Sequence, residues 1–139
     1  MVKILNMQFI RYANLFSKIT NIRTNHCFEY NHMILFAVPR KFVLTAIGRN
    51  NSNLKELNRL IGKKIKIVAI PQGKEDIEHF VSVIVHPIKF REIELKEDII
   101  TIKATTQNKA SLIGRDKVRL KEMENILEQY FEIKKLRIK

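Results

Sequence analysis

Ile47-Gly48-Arg49-Asn50-Asn51-Ser52-Asn53-Leu54-Lys55-Glu56 and Ile113-Gly114-Arg115-Asp116-Lys117-Val118-Arg119-Leu120-Lys121-Glu122 decide the reading of this chain. The Ile-Gly-Arg and Leu-Lys-Glu corners recur at an offset of 66 residues in a chain of 139. A repeat of that length points to two copies of one folding unit. Each copy places a glycine in a short basic turn and then opens an apolar-periodic helix. Glycine has no Cβ, so another backbone can come close to it. The free N–H groups and the positive dipole end of the following helix favour an anion at the same place. With 26 Lys and Arg against 14 Asp and Glu, and a formal charge of +12, that anion reads as phosphate.

Outward from the first turn, Leu5, Phe9, Tyr12, Phe16 and Ile19 step by four and three, which predicts a helix over 6–20. An aromatic stripe at this spacing is read as core, not as a base-stacking platform. Cys27 to Tyr30 and Met33 to Val38 read as a hairpin about Asn31-His32, ended by Pro39. Phe42 to Ile47 and Ser52 to Ile61 read as helices, with Gly62 as a C-cap. Lys64 to Ile70 alternates like a strand. Pro71-Gln72-Gly73 is the linker signal. The order then repeats. Helix is predicted over 76–86, strands over 90–95 and 99–104, helices over 109–113 and 118–131, and a strand over 133–138. Each half is α-β-β-α-turn-α-β.

The charge is uneven. Residues 1–70 carry 12 basic and 2 acidic groups, residues 74–98 carry 4 and 7, and residues 99–139 carry 10 and 5. The surplus calls for a polyanionic partner, of which nucleic acid is the commonest; a merely solvated basic surface is the bland alternative. The acidic stretch between the two turns is expected to face away from a phosphate chain. No apolar run approaches the ~20 residues of a membrane span, and no signal peptide is evident. A membrane partner is not expected. Cys27 is the single cysteine, which suits a reducing compartment and a cytoplasmic protein.

Taken with their element order, the two turns resemble the KH-domain signature. In that family an Ile-Gly-x-x-Gly loop joins two helices and clamps about four nucleotides of single-stranded RNA or DNA. The element order resembles the type II, prokaryotic form. The resemblance implies an α+β chain of two tandem type II KH domains, residues 1–72 and 73–139, each with a three-stranded sheet packed by helices. Two such units with almost nothing else resemble the short archaeal form of the NusA family of transcription factors. Asn25-His26-Cys27 and Lys63-Lys64-Ile65 are similar to that family too.

The resemblance implies RNA-binding residues Ile47, Gly48, Arg49, Asn50, Asn51 and Lys55 in the first unit, and Ile113, Gly114, Arg115, Lys117 and Arg119 in the second. Ile47 and Leu54 are candidates to line a base-taking groove, with ordinary core as the competing reading. The implied function is binding of single-stranded RNA in transcription elongation and termination or antitermination, with RNA polymerase as a partner. The runner-up is an RNA-binding protein of ribosome assembly or RNA processing; a protein-interaction module comes third.

Both turns depart from the signature, because the fourth loop residue is Asn51 or Lys117 where the family has glycine. Asn tolerates a left-handed backbone better than Lys, so the second loop is expected to keep its shape less well. Asp116 adds a carboxylate to a phosphate turn, or else N-caps the next helix. The second copy is therefore expected to bind more weakly or to act mainly as a scaffold. Aspartate at Gly48 or Gly114 is expected to disturb folding little.

Other chemistry is weakly supported. His26, Cys27 and His32 match no closed zinc pattern, so no metal is expected. Cys27 lies in a predicted strand without the elbow of a thiol nucleophile. Glu75, Asp76 and Glu78 suit a helix start, and His79 and His86 an exposed helix flank. There is no phosphate-loop or dinucleotide fingerprint. The expectation is a non-enzyme without cofactor or small-molecule substrate.

Overall fold

The computed structural model describes residues 7–139; Leu5, the first residue of the expected stripe, and Asn6, the first of the expected helix, lie outside the described residues. The chain divides into two compact units that meet between Ile70 and Pro71. In the first, the order is α1 (Met7–Thr20), β1 (Cys27–Tyr30), β2 (Met33–Val38), α2 (Val43–Ile47), α3 (Ser52–Ile61) and β3 (Ile65–Ala69). β2 is the central strand, antiparallel to β1 and parallel to β3. The hairpin turns on Asn31 and His32, with φ of 51° and 63°. Two successive left-handed residues match the twist of the flanking strands in a two-residue turn.

The α1 stripe is core, as its spacing predicted. Tyr12 and Phe16 are buried, with Phe9 and Ile19 packed at the margin. Ile34, Phe36 and Val38 alternate along β2, so they share one face. They join Phe16, Ala46 and Leu57 in one cluster, where Phe16 stacks on Phe36 at 4.5 Å between ring centroids.

The second unit repeats the order with α4 (Ile77–Val85), β4 (Glu92–Lys96), β5 (Ile99–Lys103), α5 (Thr106–Ile113), α6 (Val118–Glu128) and β6 (Lys135–Ile138). β5 is central, antiparallel to β4 and parallel to β6. Phe80, Ile84, Ile100, Ile102, Leu112, Met123, Leu127 and Leu136 are buried in it.

Element ends moved more here than in the first unit. α5 starts three residues before the expected Lys109, because the Thr105 hydroxyl accepts a hydrogen bond from the Asn108 N–H at 3.2 Å. α6 stops at Glu128, three residues short of the expected end, and β6 begins at Lys135 instead of Ile133. Among the described residues there are six α-helices and two three-stranded sheets, an α+β arrangement consistent with KH-like units. No helix among them is long and apolar enough to cross a membrane.

Candidate nucleic-acid interface

In both units the repeated glycine ends one helix and turns the chain toward the next. The Gly48 N–H donates to the Leu44 carbonyl at 3.1 Å, and the Gly114 N–H to the Ala110 carbonyl at 3.0 Å. Gly48 has φ 84° and ψ 165°; Gly114 has φ 74° and ψ 170°. This region of backbone space is essentially open to glycine alone. A Cβ on Gly48 would stand 2.7 Å from Ser52 Oγ and 3.0 Å from the Asn53 nitrogen. On Gly114 it would stand 3.1 Å from Arg119 Cγ and 3.2 Å from the Arg119 nitrogen. The turn itself therefore demands glycine, whatever approaches from outside. The expectation that aspartate is tolerated at these positions is corrected on the same ground.

The residues after the glycine trace one path in both copies. Asn50 and Asn51 lie at φ/ψ 54°/34° and 61°/26°; Asp116 and Lys117 lie at 55°/26° and 62°/24°. The Asn51 N–H closes on the Gly48 carbonyl at 3.1 Å, and the Lys117 N–H on the Gly114 carbonyl at 3.2 Å. Lys117 thus keeps the loop shape that its side chain was expected to disfavour. The cap reading of Asp116 is also corrected. Lys117 occupies the cap position of α6, and no side chain caps that helix start. Asp116 stands exposed in the turn.

A brace at matched positions holds each turn. Asn53 Nδ2 donates to the Thr45 carbonyl at 3.4 Å, and Arg119 Nη1 donates to the Ser111 carbonyl at 3.1 Å. Asn53 and Arg119 both lie five residues after their glycine, and Thr45 and Ser111 three before it. The second brace is charge-assisted and shorter, which makes it the stronger. It spans the loop with the less favourable left-handed residue. Arg119, expected at the RNA, is therefore engaged in holding the loop. Arg119→Ala should cost about 1–2 kcal/mol in urea unfolding, from loss of a charged hydrogen bond. Arg119→Asn, which copies the first unit, should keep more than half of that. Equal losses for the two variants would remove the brace from the account.

The remaining site residues divide by exposure. Arg49, Asn50, Asn51 and Lys55 are exposed, as are Arg115 and Lys117. Ile47 and Leu54 are half-buried and pack on the first unit's cluster, so the core reading accounts for their inner faces. Ile113 is half-buried at the matched position. Arg59 grips Glu56 at 2.7 and 3.0 Å. That hydrogen bond holds the Glu56 carboxyl below its ordinary range and ties down the acid nearest the first turn in sequence. Lys63 pairs with Glu29 at 3.1 Å. The Lys66 ammonium is pushed below its ordinary value by burial and then by Lys64. Cys27 is buried, and no cluster of three or more metal-ligating side chains occurs among the described residues. His79 and His86 are exposed. Sequence reasoning missed the braces, although the matched five-residue spacing from each glycine was their signal. It also missed the exposed Phe42 and Leu44 just before the first turn.

No family model matches the chain. It is 25% identical over 138 residues to a probable transcription termination protein NusA of Methanocaldococcus jannaschii, covering 96% of this chain and 74% of that protein. It is 28% identical over 93 residues to a protein of the same name from Methanococcus vannielii, covering 67% of this chain and 52% of the relative. That second match thus spans about half the relative's length. The crystal structure of APE1850 aligns with a TM-score of 0.65 and 25% identity, over 97% of this chain and 100% of that one. The chain is thus similar in sequence, over nearly its whole length to one and over two thirds of it to the other, to two archaeal proteins named as probable NusA, and similar in fold over nearly its whole length to APE1850.

Proposed function

We propose that the chain is a non-catalytic factor that binds single-stranded RNA during transcription elongation and termination, each unit acting as a type II KH domain. The observation that carries this is the shared backbone path of the two glycine turns, each with exposed cations and a helix start beside it. In this mechanism one strand of RNA passes the turn. Arg49 and Lys55 in the first unit, and Arg115 and Lys117 in the second, meet its phosphates. The partly open flank of Ile47 and Leu54, and that of Ile113, receives bases. The reading needs no metal or cofactor and belongs to the cytoplasm.

RNA polymerase is the proposed protein partner, on the strength of the relatives' names. The test is affinity purification of the tagged chain from its own cells, with bound RNA crosslinked and sequenced. Polymerase subunits and nascent transcripts are the expected yield. RNA recovered without polymerase would transfer the chain to ribosome assembly or RNA processing.

The units' difference in strength follows from one position. Asp116 stands where the first unit has Asn50, on the same left-handed backbone. Asp116→Asn should keep the loop and remove a carboxylate from the phosphate path. The expected result is RNA binding tighter by about 0.5–1 kcal/mol, the size of one exposed charge pair. Weaker binding of a well-folded Asp116→Asn variant would mean that the carboxylate faces away from RNA.

A further inference from the structure

We propose that the first unit carries a second RNA subsite apart from the glycine turn: a cleft between α1 and the segment that enters β1, which holds one phosphate-bearing nucleotide of a bound single strand. The proposal rests on the RNA-binding reading above. The cleft has a volume of about 640 Å³, within the roughly 300–1,000 Å³ of cavities that hold small ligands. α1 forms one wall. Ile10, Asn14 and Lys18 are spaced i, i+4 and i+8, with Ala13 and Ser17 in the next row, so they share a flank turned away from the buried Tyr12 and Phe16. Arg23, Thr24 and Asn25 form the other wall. Two threonines hold that wall in place. The Thr20 hydroxyl, at the end of α1, donates to the Phe16 carbonyl at 2.7 Å and accepts from the Ile22 N–H at 3.1 Å. The Thr24 hydroxyl donates to the Ala37 carbonyl of β2 at 2.7 Å and accepts from the His26 N–H at 3.0 Å. Arg23 thus stands between two anchored residues, and the cleft is shaped before anything enters it. A pre-formed site loses less ordering free energy when it binds.

Charge and chemistry select the occupant. No acidic residue occurs before Glu29, while Arg11, Lys18 and Arg23 fall within that span. Lys18 and Arg23 are exposed and form no ion pair among the described residues. They offer two cations to a phosphate. Ile10 and Ala13 offer apolar surface to a ribose or a base face, and the Asn14 and Asn25 amides can donate and accept at a base edge. A nucleotide is anionic at its phosphate, apolar on its face and hydrogen-bonding at its edge, so it matches all three. The repeat supplies the internal comparison. The second unit has a cleft of about 400 Å³ at the same place, between α4 and the segment that enters β4. Its Lys89 and Arg91 stand 66 residues after Arg23 and Asn25. The fold therefore builds this cleft in both units. Glu78 lines the second one, so its charge is mixed and the first is the better phosphate site.

The test measures the affinity of the full chain for an oligouridylate of about ten nucleotides, long enough to reach past the roughly four held at one turn. It also maps crosslinks from the 4-thiouridine form of that oligomer. Lys18→Gln/Arg23→Gln should weaken binding roughly five- to tenfold at low salt and flatten the log–log salt slope by about one to one and a half, at about 0.7 per phosphate. Both side chains are exposed, so folding should not change. Lys96→Gln/Lys135→Gln removes two exposed cations from the second unit as a control and should stay within about twofold. Ser17→Leu narrows the cleft without a change of charge and should weaken binding at every salt concentration; if it unfolds, the glutamine pair decides alone. Crosslinks should map to residues 10–25 as well as to the first turn. A loss in Lys18→Gln/Arg23→Gln no greater than the control's would overturn the subsite and leave the cleft to an acidic segment of a protein. Unchanged binding by a folded Ser17→Leu, or no crosslink within residues 10–25, would overturn it too. Failure of the wild-type chain to bind the oligomer would instead overturn the RNA-binding reading itself.

Discussion

Gly48→Ala is expected to be the most damaging single-methyl change in this chain, at about 3 kcal/mol of unfolding free energy. Two terms add. Holding an alanine at φ 84° and ψ 165° costs roughly 1–3 kcal/mol, because that region excludes any Cβ. The added carbon would also sit 3.0 Å from the Asn53 nitrogen, which is backbone at the start of α3 and cannot swing away. Crowding of that kind costs about 1–3 kcal/mol. Against a typical domain stability of about 5–15 kcal/mol the loss is large.

The other glycines grade the prediction. At Gly114 the strain is the same, but the fixed backbone nitrogen of Arg119 stands farther off, at 3.2 Å, and the nearest atom, Arg119 Cγ at 3.1 Å, belongs to a side chain that can move at the expense of its brace. At Gly62, φ is 79° and nothing lies within 4 Å, so only backbone strain of about 1 kcal/mol remains. Urea unfolding should order the losses as Gly48, then Gly114, then Gly62. A Gly48→Ala loss no larger than that at Gly62 would sink the argument. RNA binding by the first unit should fall with it, since the turn that presents Arg49 would be re-formed.

The second large effect is in salt. If about four to six phosphates are contacted, single-stranded RNA affinity should fall with a log–log slope of roughly −3 to −4, at about −0.7 per phosphate. Between 50 and 200 mM salt that is a weakening of about a hundredfold. Neutralising Arg49 and Lys55 together to glutamine should flatten the slope by about one to one and a half. Both side chains are exposed, so the fold should not change. Duplex RNA should bind more weakly at every salt concentration, because bases must lie against the partly open apolar flank of Ile47 and Leu54. Equal affinity for duplex and single strand would reduce the interface to a basic surface.

Much of this molecule is legible in the chain because its signals are local. The four- and three-residue steps of Phe9, Tyr12, Phe16 and Ile19 place one face of α1 on the core whatever surrounds it. Asn31-His32 sets a hairpin because asparagine and histidine enter the left-handed region more readily than most residues, and both take it in the turn that links β1 to β2. The 66-residue repeat declares two like units, and the two share one order of elements. α5 and α6 were misjudged at their ends, where one capping hydroxyl or one relaxed final turn outweighs periodicity.

The loops divide the two kinds of knowledge most sharply. The residue types at Gly48 and Gly114 were enough to mark the turns. Whether Lys117 could follow the path of Asn51 was a question about energy, and propensity alone answered it wrongly. The left-handed cost at Lys117 is on the order of 1–2 kcal/mol. It is met by contacts from elsewhere in the fold: α5 and α6 are anchored through Leu112 and Met123, and Arg119 crosses between them to the Ser111 carbonyl. For the same reason Arg119 could be counted from sequence as a cation but not recognised as a brace. A side chain's charge is intrinsic to it, whereas the partner it finds depends on where the rest of the chain has been packed.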